Sequence, residues 1–172
     1  MLIIKEKIND YLLKNNLSLT QFSKIVNHSQ GALSSILNGR DNCPEHVIEK
    51  LAPILGVSVE EIKSWILADK YSREILERAV KIKKEKQSDR LILTTKLDEI
   101  LKSKQLSRTA LSKLIDYSQG GLNEMIIGKE PMSKSVISKI SVALDIPENE
   151  IKSWIAADKY STESLEKALK VH

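Results

Sequence analysis

The sequence predicts an all-α protein that consists of two tandem copies of one small domain, each with five to six short helices. Residues 2–83 align with residues 91–172 without a gap, and 34 of the 82 aligned positions are identical. Apolar residues recur at helical spacing in both copies, and no stretch alternates with the period of a β-strand. Because the repeat is far longer than the unit of a solenoid, we expect domain 1 at residues 1–83, a lysine-rich linker at 84–90 and domain 2 at 91–172.

The first two helices of each copy follow from apolar spacing and a cap. In the first copy, Ile4, Ile8 and Leu12 have the spacing of an amphipathic helix. Ser18 and Gln21 then form the pattern of a capping box, which marks the start of a second helix. The second copy repeats this order, with the capping serine kept and the glutamine replaced by alanine.

Four further helices are expected after these two. Ser29 caps a third helix that ends before Gly39, a natural helix terminator. Pro44 suits the first turn of a fourth helix. Ser58 opens a fifth helix with a second capping box, and Ser72 caps a sixth. The second copy repeats these helices at the same offset less cleanly, with Asp145 in place of Gly56 after the fourth helix.

The second and third helices have the pattern of a helix-turn-helix, in which two short helices are joined by three or four residues. Ser23 is small where the third helix must cross closely, and Asn27 stands at the turn, where a positive φ is needed. Ser112 and Asp116 occupy these positions in the second copy. The apolar contacts between the helices are expected from Phe22, Val26, Leu33 and Ile36 in one copy and from Leu111, Ile115, Leu122 and Met125 in the other.

The string S-Q-G-x-L followed by x-G-[RK] occurs at residues 29–40 and again at 118–129. It is similar to the recognition helix and following loop of the phage-repressor or Cro type of helix-turn-helix domain, also called the XRE type. This resemblance implies two tandem lambda-repressor-like domains that regulate transcription. Their recognition helices, at about residues 30–38 and 119–127, would lie in the major groove of a specific duplex DNA site.

The third helix of the first copy carries the residues from which we expect base contacts. Gln30 stands at the first helical position, and a glutamine amide can bond adenine bidentately. Gly31 follows, with no side chain to hold the helix away from DNA. Arg40 comes after the terminating glycine, where a phosphate contact would fix register without reading sequence. The expected DNA-binding residues of this copy are Thr20, Ser29, Gln30, Gly31, Ser34, Ser35, Asn38 and Arg40.

The second copy is expected to read DNA less well. Glu124 replaces Ser35 and puts a carboxylate on the reading face, where it could accept a hydrogen bond from cytosine. The glutamine that the family usually has at the start of the second helix is Leu19 in the first copy and Arg108 in the second. Of these two, only Arg108 can contact phosphate. The expected DNA-binding residues of this copy are Arg108, Ser118, Gln119, Gly120, Asn123, Glu124 and Lys129.

The strongest identity between the copies lies outside the helix-turn-helix. Residues 61–72 read EIKSWILADKYS and residues 150–161 read EIKSWIAADKYS. Because aromatic side chains dominate small cores, we interpret the segment as a structural joint that holds the last helix on the core. The alternative is a partner-binding motif around Asp69–Lys70 and Asp158–Lys159.

The rest of the sequence gives no sign of catalysis. Cys43 is the only cysteine, so no disulfide within the chain and no thiolate zinc site can form. Histidine–carboxylate metal motifs and glycine-rich phosphate loops are absent, so we expect no enzyme, no metal, no cofactor and no small-molecule substrate. No apolar run approaches a membrane span and no signal peptide is evident, which favours a cytoplasmic protein of bacterial or phage origin.

Double-stranded DNA is the expected partner, and a homodimer or a protein partner is left open. The net charge of +4 is compatible with a polyanionic partner and does not demand one. The runner-up is a protein-interaction module, in which one or both copies keep the fold and bind a protein. RNA binding is disfavoured because the A-form major groove excludes a helix.

Overall fold

The structure is a computed structural model that describes residues 2–86 and 89–171. Within this part of the chain there are twelve α-helices and no β-strand, so the predicted all-α class is confirmed, with six helices in each copy. The helices are α1 (Ile3–Lys14), α2 (Leu19–Ile25), α3 (Gln30–Leu37), α4 (Glu45–Leu55), α5 (Val59–Lys70), α6 (Arg73–Glu85), α7 (Ile92–Ser103), α8 (Arg108–Leu114), α9 (Gln119–Ile126), α10 (Lys134–Leu144), α11 (Glu148–Lys159) and α12 (Thr162–Val171).

The helices form two compact units. The first unit comprises Met1–Arg73 and Glu163–His172, and the second comprises Glu74–Thr162. The first unit therefore contains α1–α5 together with α12, and the second contains α7–α11 together with α6. Apart from its first residue, α6 of the first copy thus belongs to the unit that contains five helices of the second copy. Apart from its first residue, α12 of the second copy belongs to the unit that contains five helices of the first copy.

This division differs from the sequential one in the place of the sixth helices. Boundaries at 1–83 and 91–172 assign each sixth helix to its own copy, whereas the compact units exchange them. α6 also continues to Glu85, so that it runs two residues into the expected linker 84–90. Residues 87–88 of that linker lie outside the described residues.

Serine side chains begin the helix-turn-helix elements, as their positions predicted. The Ser18 hydroxyl accepts a hydrogen bond from the backbone N–H of Gln21, whose side chain accepts from the N–H of Ser18, so the capping box is confirmed. Ser29 and Ser118 accept from the third residue of α3 and of α9. Such caps contribute about 1 kcal/mol each and fix where the helices begin. Pro44 lies immediately before α4 rather than inside its first turn.

The turn between the two helices has the backbone that its residues predicted. Asn27 and Asp116 both have a φ of +49°, a conformation that short polar residues tolerate better than others. Ser23 and Ser112 are buried, which lets the third helix cross the second closely. Gly39 has a φ of +67° just beyond α3 and ends that helix.

The apolar contacts expected between these helices form their core. Seven of the eight predicted residues are buried, and Met125 is half-buried. In the first unit the ring of Tyr11 lies against that of Phe22, with centroids 5.7 Å apart. The core thus fixes the angle of α3 on α2, and of α9 on α8, and leaves the opposite helix faces at the surface.

The repeated segment outside the helix-turn-helix anchors the first helix of each copy, and its tryptophans are buried. The sixth helices, which it was expected to hold on their own copies, belong to the opposite units. The Asp69 carboxylate accepts from the backbone N–H groups of Ile3 at 2.7 Å and of Ile4 at 3.1 Å. Asp158 makes the matching pair of bonds to the start of α7, at 2.7 and 2.9 Å. Because neither α1 nor α7 has a cap side chain of its own, these carboxylates close the first helix of each copy.

Candidate nucleic-acid interface

The first residue of α3 is exposed and is held by a side chain of α2. The hydroxyl of Thr20 donates to the Oε1 atom of Gln30 at 2.8 Å, and both residues are exposed. After this bond the Gln30 amide keeps two N–H donors and one oxygen lone pair for another partner. These are the groups that bond the N7 and N6 atoms of adenine, and they stand side by side at the tip of the helix.

Gly31 has open space above it. A Cβ atom added there would meet no atom of the protein within 4 Å, and the same holds for Gly120 in the second copy. Glycine costs about 1 kcal/mol against alanine inside a helix, and neither a positive φ nor a close neighbour requires it here. Nothing within the described chain therefore accounts for these two glycines, whereas the approach of an outside partner would.

The second glycine of the other recognition helix has a different cause. A Cβ atom on Gly121 would lie 2.8 Å from the Oγ atom of Ser118 and 3.1 Å from a ring carbon of Tyr117. The first copy has Ala32 and His28 at the corresponding positions, and Ala32 keeps the same serine cap, with its backbone N–H donating to the Oγ atom of Ser29 at 3.2 Å. The cap alone therefore does not require a glycine, and the crowding particular to the second copy comes from Tyr117.

The far end of α3 is tied to the rest of the first unit. Asn38 is exposed, and its amide donates to the backbone oxygen of Ser34 at 2.8 Å. Its Oδ1 atom accepts from the Nζ atom of Lys5, also at 2.8 Å. Ser34 and Ser35 are half-buried. Lys5 of α1 is a cation beside the expected reading face that sequence reasoning missed, because only the tertiary fold brings it there.

The residues that flank the recognition helices divide into caps and exposed cations. The hydroxyl oxygens of Ser29 and Ser118 each accept one hydrogen bond as helix caps, so one lone pair and the hydroxyl hydrogen remain on each for an outside partner. Arg40 and Lys129 are exposed and each follows a glycine of positive φ. Both cations therefore lie at the end of a recognition helix, where a phosphate contact was expected.

The reading face of the second copy is less complete. Gln119 is exposed, and within the described residues no hydrogen bond joins it to Thr109, the equivalent of Thr20. Glu124 is exposed and presents its charge on this face. The Oδ1 atom of Asn123 is buried and has no hydrogen-bond partner in the described part of the chain, so this atom is turned away from the surface that would face DNA.

Arg108 is engaged by a carboxylate of α7. Its Nε and Nη2 atoms lie 2.9 and 2.8 Å from the two oxygens of Asp98, and the guanidinium of Arg90 lies 3.9 Å from the same carboxylate. Such a bidentate pair fixes the plane of the guanidinium. The first copy has Asn9 and Leu19 at the two positions, so only the second copy carries this fixed cation.

Cys43, the only cysteine of the sequence, is half-buried. Burial, with a smaller contribution from Glu45, raises the pKa of the Cys43 thiol to about 11, so the thiol stays protonated at neutral pH. No group of three or more metal-ligating side chains occurs in this part of the chain. None of the described helices is long and apolar enough to cross a membrane.

Comparison with known families assigns a helix-turn-helix to each copy. Residues 8–62 match a family described as helix-turn-helix. Residues 96–158 match a family described as Cro/C1-type HTH DNA-binding domain. Neither a curated protein nor a solved structure matches the chain.

Proposed function

The chain carries two tandem helix-turn-helix domains of the Cro/C1 (XRE) type, which are typical of DNA-binding regulators, and we propose that it regulates transcription by binding one specific duplex site. It would do so in the cytoplasm of a bacterial or phage-infected cell. Both recognition helices, α3 and α9, would enter the major groove, with their first residues at the base edges.

The observation that carries this proposal is the tip of α3. An exposed glutamine is oriented there by Thr20 at 2.8 Å, and the next residue, Gly31, leaves free space where any side chain would stand. A glutamine amide presented on a helix that can approach closely fits bidentate contact with adenine. The exposed Arg40 and the half-buried Lys5 add positive charge at the other end of the helix, where they would contact phosphate.

The second copy would contribute more to anchoring than to reading. Asp98 holds the Arg108 guanidinium in a fixed plane, and this orientation suits contact with the DNA backbone. The same carboxylate reduces the net positive charge at this site. Glu124 on the reading face repels phosphate unless a cytosine amine meets it. Because phosphate contacts are independent of sequence, this copy would strengthen binding to many sites, while the first copy selects among them.

The duplication would let one chain occupy two half-sites. Repressors of this type dimerise to place two recognition helices about one DNA turn, ~34 Å, apart, whereas this chain already contains two. A short covalent connection raises the effective concentration of the second domain. The copies differ at Ser35 and Glu124, so the half-sites should differ and form an imperfect palindrome or a direct repeat.

A protein-interaction module is the second candidate, and one observation favours it. Ile25 and Leu114 are equivalent apolar residues near the ends of α2 and α8, and they are 52% and 60% exposed. Each copy thus exposes an apolar side chain at the same place on its second helix, as a partner-binding site shared by the two copies would. One or both copies would then keep the helix-turn-helix fold and bind a protein through this end of the second helix.

Selection of duplexes from a random pool, followed by a salt titration on the selected site, tests the two candidates. A DNA-binding protein should enrich a common sequence and lose affinity between about 50 and 200 mM salt, with a slope of about −0.9 per phosphate neutralised. Arg40→Ala should reduce that slope by about one, and Lys14→Ala at the end of α1 serves as the matched control. Failure to enrich any sequence would favour the protein-interaction module.

A further inference from the structure

The sixth helices are exchanged between the copies, and the contacts on both sides are specific. In the first unit, α12 buries Leu165 and Ala168, and the hydroxyl of Ser164 donates to the carboxylate of Glu60 on α5. The Glu163 side chain, and then Glu61 and Glu60, raise the pKa of Lys167 on the same helix. Helix α12 is thus held by apolar burial and by polar contacts with α5.

The second unit holds α6 in the same manner. Ile75, Leu76 and Ala79 of α6 are buried. The Nζ atom of Lys83 donates to the backbone oxygen of Ala157 at 2.6 Å, near the end of α11. At its other end, α6 accepts a hydrogen bond on Glu74 from the amide of Asn149, at 3.5 Å. Two separate bonds and a buried face therefore fix this helix on the second unit.

The joint between the fifth and sixth helices permits the exchange. Tyr71 has φ −122° and ψ 141°, and Tyr160 has φ −118° and ψ 151°. Both residues are extended, so the sixth helix of each copy departs from the fifth after two non-helical residues, the first of them extended, instead of turning back directly. The segment that is most alike in the two copies is thus the segment that directs the exchange.

One polar pair favours the exchanged arrangement over the sequential one. The residue of α6 that corresponds to Ser164 is Ile75. If α6 lay on its own copy in the place that α12 occupies, Glu60 would face an isoleucine, which has no donor, in place of the serine hydroxyl. The Glu60 side chain is 31% exposed and also lies 3.7 Å from the Nζ atom of Lys63. The serine hydroxyl therefore adds one hydrogen bond that isoleucine cannot supply, and this favours the helix of the opposite copy.

We propose that the reciprocal exchange of sixth helices, and not the polypeptide between Glu85 and Leu91, holds the two copies of one chain together. The chain is a closed, covalently joined form of a helix-exchanged dimer, an arrangement that single domains reach by domain swapping. The face of α5 that contacts α12 accordingly fits the sixth helix of another copy of this fold. This inference is independent of the proposed DNA binding.

Cross-linking of paired cysteines in the full chain tests the exchange. In a Cys43→Ser background, Glu61→Cys on α5 with Lys167→Cys on α12, two partly exposed positions whose native side chains interact, should be joined by a short bifunctional maleimide within one chain. The product is detected as the mass of one linker added to the 19.4 kDa monomer. The matched control, Glu61→Cys with Arg78→Cys, places the second cysteine at the exposed position of α6 equivalent to Lys167 and should remain unlinked. Linkage of the control pair alone, or linkage of the first pair only between two chains, would overturn the proposal.

A second measurement needs no engineered contact. A site for a sequence-specific protease is placed between Lys86 and Asp89 of the full chain, and the folded protein is cut and passed over a sizing column. Because each unit contains helices from both fragments, they should elute together at the position of the uncut chain and separate only in denaturant. Separate elution of the two fragments in native buffer contradicts the proposal, whatever the cross-linking shows.

Discussion

The carboxylate of Asp69 should be a large single contributor to the stability of the first unit. It lies in α5 and accepts two backbone hydrogen bonds at the start of α1, from Ile3 at 2.7 Å and Ile4 at 3.1 Å. Helix α1 has no cap side chain of its own. Replacement of Asp69 by alanine therefore leaves two half-buried N–H groups without their partner and separates α1 from α5.

The size of the effect follows from the two contacts. Loss of an N-cap side chain costs about 0.5–2 kcal/mol, and removal of a negative charge from a helix N-terminus costs about a further 0.3–1 kcal/mol. Water can replace only part of the lost stabilisation, because both hydrogen bonds are half-buried. We expect Asp69→Ala to lower the free energy of unfolding by about 1–3 kcal/mol, and Asp69→Asn, which keeps one acceptor, by about half as much.

Urea unfolding followed by tryptophan fluorescence measures this loss. Each unit contains one tryptophan, so a Trp154→Phe background leaves Trp65 as the reporter of the first unit. With a slope of about 1–3 kcal/mol per molar urea, the midpoint should fall by about 1 M. Asp41→Ala, an exposed aspartate of the same unit, is the control and should shift it little. If Asp69→Ala and Asp41→Ala behave alike, the cap is not a stabilising contact.

Three further predictions test the site. Asp98→Asn should free Arg108, steepen the salt slope of DNA binding by about one and cost at most about 1 kcal/mol of stability; an unchanged slope would show that Arg108 does not face phosphate. Gly31→Leu should leave the free energy of unfolding unchanged or raise it by up to about 1 kcal/mol and weaken DNA binding at least about tenfold by keeping α3 from the groove; intact binding would refute the close approach. Cys43, whose pKa is raised to about 11, should react with iodoacetamide at pH 7 about a hundredfold more slowly than a free thiol, and a rate near that of free cysteine would contradict its burial.

Local chemistry allowed the helix-turn-helix to be predicted residue by residue. A serine before an apolar helical run, an asparagine or aspartate at the turn and a glycine at the helix end each act within a few residues. The observed φ of +49° at Asn27 and Asp116 and the caps at Ser18 and Ser29 follow from these short-range preferences. The repeat then doubled every such signal.

Contacts over long sequence separations could not be predicted in this way. Asp69 reaches a helix 66 residues away, and the spacing of its segment gives no sign of that partner. Arg108 was expected on phosphate, but its engagement by Asp98 depends on the packing of α8 against α7. The exchange of the sixth helices is the extreme case, because both copies present nearly the same apolar residues and the polar contacts that differ, such as Glu60–Ser164, join residues 104 positions apart.

The comparison of Gln30→Ala with Gln119→Ala on one selected duplex, at one salt concentration, tests the central claim most directly. If α3 is the reading helix, Gln30→Ala should lower the affinity about 5- to 150-fold, equivalent to about 1–3 kcal/mol, and relax the preference at one base pair. Gln119→Ala should cost less in both respects. Unchanged affinity and base preference in Gln30→Ala would show that α3 does not read the DNA, and a larger loss in Gln119→Ala would assign the reading to the second copy.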